Sequence, residues 1–405
     1  MSKIFFFCIP AWGHTNPTIP VVEELVKRGH EVWYYSFEMF REKIEAAGAE
    51  FVNCDVYLPE LNEKEMGKIK KASTTQMTIA DLETTARMDA MLSADVENRK
   101  PDCIVADSVC FWGKLIAKKY GLPFVCSTTT FAFNQYSSGY IQNSFRETMD
   151  SILGLPKVNR ALKKLEPLGY HVKSALSLVQ NDNDTDTIVY TSRLFQPCAE
   201  TFSDCYAFVG PSVKAPEKKT AAEGASKARK RVYISMGTVL NEQLPFYRNC
   251  IEALKELDVE VIMSVGNSVN LAELQGFQAS FGKVPAQIDI RSSVNQLEIL
   301  AETDVFLTHC GMNSISESLY MGVPVVMYPQ TGEQRAVAKR TFEMEAGVYL
   351  ENDSAEAVRK AVELVLEQDT WKAGVEKMRT DFRSCSGAKG AADFIEKRMD
   401  KRSGT

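Results

Sequence analysis

Residues 303–334 read TDVFLTHCGMNSISESLYMGVPVVMYPQTGEQ. An apolar run ends at Thr308, a tight loop holds His309, Cys310 and Gly311, a helical pattern opens near Asn313 or Ser314, and a second apolar run follows at "VPVVMY". Strand, loop, helix, strand is the repeating unit of a parallel sheet with helices on its faces. Such sheets take their ligands beyond the carboxyl ends of the strands. Here the following helix also offers unpaired N–H groups and the positive end of its dipole, so the spot suits a phosphate. Gly311 lets the backbone come close, Ser314 offers a hydroxyl, and Glu317 shares a helical face with Asn313 and Ser314, where a carboxylate can accept from a sugar diol. Singly each has a plainer reading, because Asn or Ser opening a helix is a cap and a lone Glu is a solvated charge.

The same unit recurs on both sides of this stretch. Towards the amino terminus a series begins at "RVYISMGT" (231–238) and continues through "VEVIMSVG" (259–266) and "DIRSS" (289–293). Earlier still, "KIFFFCIP" (3–10), the helix "NPTIPVVEELVKRG" (16–29) and the strand "HEVWYYS" (30–36) form a β-α-β opening. "PDCIVADS", the helix "WGKLIAKKYG", "LPFVCST", "DTIVYTS" and "YAFVGPS" extend it. Residues 62–98 break the rhythm as a polar, Met- and Thr-rich helical excursion that either lines a binding site or is simply solvated. Between the two series, "VKAPEKKTAAEGASKARK" carries charge, Ala, Gly and Pro but almost no large apolar residue, so it reads as a linker. The fold class is therefore α/β, with two doubly wound, Rossmann-like parallel-sheet domains: 1–212, a linker at 213–230, and 231–387.

A chain of 405 residues has room for two cores, and its net charge of −6 offers no basic patch for nucleic acid or an anionic membrane. The expected partner is a small molecule. Ten cysteines occur without CxxC spacing, several inside apolar runs, and read as reduced thiols of a cytoplasmic protein. The apolar stretch Ile4–Ile9 is too short for a signal-peptide core and is broken by Pro10, and no later run reaches the length of a membrane span. No stable membrane association is expected, and a monomer is.

The run from Gln296 to Gln334, with "THCGMNS", Glu317, "GVPVVMYPQ" and "EQ" in order, resembles the family of nucleotide-sugar-dependent glycosyltransferases that includes plant secondary-product glucosyltransferases and bacterial macrolide glycosyltransferases. The resemblance implies the GT-B fold: two Rossmann-like domains facing across a cleft, an acceptor-binding amino-terminal one and a donor-binding carboxy-terminal one. It also implies that a last helix at 388–405 packs back on the first domain. By the same resemblance His309, Gly311, Asn313 and Ser314 hold the diphosphate, Gly237 and Thr238 form a first phosphate-side loop, and Gln296 belongs to the donor site. Glu317 then holds the ribose hydroxyls, and Glu333 and Gln334 hold hydroxyls of the sugar. Many relatives stack a Trp on uracil where this chain has Ser293, and Asn295 replaces their usual Pro, which leaves Arg291 or Val294 to cover the base. UDP-glucose is the expected co-substrate, with no cofactor and no metal.

His14, in the loop "PAWGHTNPT" after the first strand, and Asp107, at the end of "CIVAD", lie at carboxyl ends of parallel strands and can converge. A near-neutral imidazole can take a proton from an acceptor hydroxyl, while a carboxylate on its other nitrogen fixes the tautomer. The resemblance gives these two residues those roles, base and orienting carboxylate of an inverting hexosyl transfer. Trp12, Phe111, Trp112, Phe131 and Phe133, with Tyr136, lie near strand ends and are candidates for an apolar acceptor pocket suited to a phenolic, flavonoid or macrolide-like molecule, though aromatics there are as often plain core. Three rivals share parts of the pattern. A lipid-directed transferase would show an apolar or basic membrane face; a nicotinamide oxidoreductase would need GxGxxG, which neither "PAWGHT" nor "SMGTVLN" supplies; a non-catalytic partner protein would lack the His14 and Asp107 pair. His30 and His171 have no spaced metal partners, and "DNDTD" (182–186) departs from a calcium loop and reads as a polar turn.

Overall fold

Seven parallel strands make the first sheet of the computed structural model, which describes residues 1–58, 73–141, 145–172, 178, 185–214, 229–238, 241–284 and 286–400. They are β1 (Lys3–Phe7), β2 (Glu31–Ser36), β3 (Glu50–Asn53), β4 (Cys103–Asp107), β5 (Phe124–Thr128), β6 (Thr187–Val189) and β7 (Tyr206–Phe208), in spatial order β3-β2-β1-β4-β5-β6-β7. Six more, β8 (Lys230–Ser235), β9 (Val259–Ser264), β10 (Gln287–Arg291), β11 (Val305–Thr308), β12 (Val325–Met327) and β13 (Gly347–Tyr349), form the second sheet in order β10-β9-β8-β11-β12-β13. Every pairing in both sheets is parallel. The order of connection reverses between β1 and β4 in one and between β8 and β11 in the other, and such a reversal opens a crevice at the carboxyl ends of those strands.

Burial explains why these runs are strands. Ile4 to Phe7 of β1 are fully enclosed, covered on both faces as a central parallel strand must be. Aromatic pairs knit neighbouring strands: Phe7 stacks on Tyr35 at 4.5 Å in the first sheet, and Tyr233 on Phe306 at 4.7 Å in the second. The helix Ile19–Lys27 turns Ile19, Val21, Val22 and Leu25 inward, and Phe111–Tyr120 does the same with Leu115 and Ile116.

Backbone contacts divide the chain into two compact units, Met1–Gly139 with Asn143–Ser212 and Cys385–Thr405, and Tyr140–Gln142 with Val213–Ser384. In the first, the helix Gly387–Asp400 buries Ala391, Ala392 and Ile395 against the amino-terminal core. Arg28 clamps it, with Nη1 2.6 Å from Asp393 and 2.7 Å from Glu396, while its Nε reaches Glu24 at 2.9 Å. His30 Nε2 adds a 2.8 Å contact to Glu396. The helical excursion appears as Thr74–Arg99, opened by a capping box between Ser73 and Gln76; its expected beginning at 62–72 lies outside the described residues, as does 182–184 of the "DNDTD" turn. All ten cysteines are thiols. Among the described residues no helix is long and apolar enough to cross a membrane.

Candidate active site

In the first unit the chain leaves β1, passes Pro10 and an extended Ala11, and makes one helical turn, Trp12–Thr15, that carries His14. Asp107 is the last residue of β4, the strand across the reversal from β1. Nδ1 of His14 lies 2.7 Å from Oδ2 of Asp107. A carboxylate only accepts, so Nδ1 carries the hydrogen and the second ring nitrogen keeps its lone pair in the neutral form. The Asp107 side chain is fully enclosed and the imidazole 27% exposed. Its other oxygen, Oδ1, accepts the Val109 N–H at 3.0 Å, so the carboxylate is pinned from two sides. Burying that charge is tolerable because both oxygens are hydrogen-bonded.

Two residues that the sequence reading passed over belong to this cluster. Thr129, just beyond β5 and 5% exposed, places Oγ1 3.1 Å from His14 Nδ1 as a second acceptor for its hydrogen. Asp81, on the helix Thr74–Arg99, has its carboxyl pushed up to about 7, first by burial and then by the negative charge of Asp107. Of the aromatic candidates, Trp12 keeps 37% exposure, edge-on to Phe40 at 4.8 Å with the Lys43 ammonium over its ring at 5.2 Å. Phe133 is half-buried beside Phe131, and Tyr136 is exposed. Phe111, Trp112 and Phe131 are enclosed and pack as core, which is how apolar rings at helix starts and strand ends are usually employed.

The second unit repeats the arrangement at β8 and β11. Gly237 follows β8 with φ +77°, and a Cβ there would sit 2.6 Å from Cε1 and Nε2 of His309; a Cβ on Gly311 would sit 2.6 Å from the same Nε2. Glycines on both sides therefore make room for the imidazole. Burial holds it well below the usual histidine range, at about 4, against a smaller opposing effect from a hydrogen bond with the Ser235 backbone. The ring is neutral at pH 7 and can act on an anion as a hydrogen-bond donor, not as a cation.

The helix after this loop begins at Met312, one to two residues earlier than the Asn313 or Ser314 expected. Gly311, at φ −60° and ψ 143°, is its N-cap, and the left-handed conformation falls on Cys310 at φ +65°. Asn313 and Ser314 thus occupy the first turn, where backbone N–H groups have no acceptor within the helix itself. Glu317 is not a solvated charge: Nε2 of Gln296 donates to it at 2.7 Å, and Gln296 Oε1 accepts from Tyr233 at 3.3 Å.

Ser293 is exposed and Val294 half-buried, while the Arg291 guanidinium is held by Asp289 at 2.9 Å. Thr238 and Glu333 are exposed. Gln334 is the third residue of the helix Gly332–Glu343 and closes a capping box with Thr331; its Oε1 accepts the N–H groups of Gln330 and Thr331 at 2.7 and 3.2 Å. Among the described residues no group of three or more side chains is arranged to hold a metal ion.

The sequence profile of the Erythromycin biosynthesis protein CIII-like C-terminal domain matches residues 248–390. Over 98% of its length the chain is 34% identical to a protein named NDP-glycosyltransferase YjiC from Bacillus licheniformis, covering 97% of that protein. It is 28% identical to a demethyllactenocin mycarosyltransferase from Streptomyces fradiae, over 98% of this chain and 86% of the other. Among solved structures, the glycotransferase of kitacinnamycin superposes with a TM-score of 0.80 at 25% identity, covering 98% of each chain. CalG4, the calicheamicin glycosyltransferase, gives 0.76 at 24% identity over 99% of each.

Proposed function

The chain belongs to the family 1 glycosyltransferases of the GT-B fold and is a nucleotide-sugar glycosyltransferase, and from that premise we propose an inverting transfer of a hexose, glucose, from its UDP donor to a hydroxyl of a lipophilic small molecule. The hydrogen bond between His14 and Asp107 carries the proposal. With Nδ1–H held by the carboxylate, the other ring nitrogen is the base that takes the acceptor proton. The freed oxygen attacks the anomeric carbon on the face opposite UDP, so an α-linked donor gives a β-glycoside. Asp107 stabilises the imidazolium as it forms and stays ionised.

At the leaving group, negative charge grows on the diphosphate. The neutral His309, the N–H groups of the first turn at Met312, Asn313 and Ser314, and the backbone at Gly237 and Thr238 supply hydrogen bonds there in a preorganised setting. Glu317, braced by Gln296, takes the ribose hydroxyls. Glu333 and the amide of Gln334 take hydroxyls of the sugar, and Val294 covers the base beside Ser293. These groups serve charge and orientation without a resident metal or cofactor.

The acceptor is proposed to be phenolic, flavonoid-like or macrolide-like. Partly exposed Trp12, in the same helical turn as His14, and half-buried Phe133 support this, as do relatives named as a demethyllactenocin mycarosyltransferase and an oleandomycin glycosyltransferase. Incubating the protein with UDP-glucose and other nucleotide sugars against a panel of phenols and macrolides, then reading the anomeric coupling of each product by proton NMR, tests the reading. A β-glycoside is expected. An α-glycoside, or no transfer from any donor, overturns it.

A further inference from the structure

Asn241, in the segment between β8 and the helix Leu244–Leu254, is 3% exposed. Its amide makes two contacts that together cross the sheet. Nδ2 donates to the Gly237 carbonyl at 3.1 Å, which fixes which way the amide faces. The same atom occupies the space where a side chain on Gly266 would begin: a Cβ there would lie 1.9 Å from Nδ2. Gly266 in turn follows β9, and its N–H donates to the Ser292 carbonyl at 2.9 Å, just past β10. Since His309 packs on Gly237, one chain of contacts runs His309, Gly237, Asn241, Gly266, Ser292 and links the loops at the ends of β11, β8, β9 and β10.

Oδ1 of Asn241 is buried with no hydrogen-bond partner among the described residues. Buried polar atoms are ordinarily paired, and an apolar side chain of similar shape would fill this place without leaving one orphaned. What an apolar side chain would not supply is a donor to the Gly237 carbonyl. From this the geometry points to Asn241 as a positioning residue for diphosphate binding, setting the loop at Gly237 and through it the His309 imidazole. The inference rests on the proposed diphosphate site at Gly237 and His309.

The loop acts on phosphate and not on the base, so the ratio of UDP to uridine affinity is the quantity that changes. Calorimetric titration of the full chain with UDP and with uridine measures it for wild type, Asn241→Ala and Asn241→Asp. The second variant keeps the shape packed against Gly266 but removes the donor. Partial unfolding lowers the apparent affinity for both ligands alike, so the ratio within one variant is protected from it. A fall of about tenfold in that ratio is expected for both variants, the effect of one mis-set hydrogen-bonding loop. Variants that keep the wild-type ratio overturn the inference; a wild type that binds UDP no better than uridine overturns instead the diphosphate reading beneath it.

Discussion

Replacing Asp107 by Asn changes one atom, and the structure dictates where that atom goes. Oδ1 of Asp107 accepts the Val109 N–H, so the amide oxygen of an Asn keeps that role and its NH2 turns to His14. An NH2 donates, which forces Nδ1 of the imidazole to accept and moves the ring hydrogen to the other nitrogen. The proposed base then has no lone pair where the acceptor hydroxyl arrives. Thr129 Oγ1, 3.1 Å from the same Nδ1, can still accept its hydrogen, but it competes with an NH2 that stands where the carboxylate oxygen lay at 2.7 Å.

Charge adds to the tautomer effect. With charge centres roughly 4 Å apart and an effective dielectric of about 20, the carboxylate stabilises the imidazolium by about 4 kcal/mol. That corresponds to about a thousandfold in rate if it is all expressed in the transition state. Steady-state rates with a phenolic acceptor, paired with calorimetric titration of UDP, test this: kcat falls about a thousandfold while UDP affinity stays within about twofold. A fall of less than about tenfold would show that the buried hydrogen bond is structural and refute the reasoning.

Three further perturbations test other parts of the structure. Asp81 is protonated in the folded chain up to about 7 but ionises near 3.8 when unfolded, so the folded state binds more protons between those values and stability falls as pH rises through them. Asp81→Asn therefore raises the melting temperature at about pH 8 and leaves it unchanged at about pH 4, and equal shifts at both would contradict the burial argument. His309 has the opposite sign: its folded pKa of about 4 lies below the ordinary 6.5, so its contribution is present above 6.5 and is lost as pH falls towards 4. His309→Gln flattens the melting-temperature profile across that window and weakens UDP binding; an unchanged slope would mean that the ring is solvated. Arg28→Ala releases Glu24, Asp393 and Glu396 together, at a cost of about 1–2 kcal/mol, and speeds amide exchange in the helix Gly387–Asp400. Unchanged exchange there would show that Ala391, Ala392 and Ile395 hold the helix without the clamp.

Central strands were legible because burial on both faces makes them continuous apolar runs, as in Ile4–Phe7 and Val305–Thr308. The edge strands β3 and β13 were not. β3 buries only Phe51 of its four residues and β13 has three residues in all, too few for any period to show. The loop Thr308-His309-Cys310-Gly311 was legible as a phosphate-type turn, but its conformation was not. The left-handed residue is Cys310, against its intrinsic preference, while Gly311 takes the extended N-cap conformation and leaves room for His309. Asp107 could be placed at a strand end beside His14, yet the contributions of Thr129 and Asp81 depend on tertiary approach. One sits in a run of threonines, the other in a polar helix, and neither leaves a local signature. Gln334 shows the converse: its place in the motif was visible, and its engagement with the Gln330 and Thr331 backbone was not.

Everything in the proposed chemistry passes through one proton, taken from the acceptor by His14. Measuring turnover of UDP-glucose with a phenolic acceptor by His14→Ala, alongside its UDP affinity, examines that proton directly. The account predicts transfer lowered by about a thousandfold or more with UDP bound as in the wild type; turnover near the wild-type rate would contradict it.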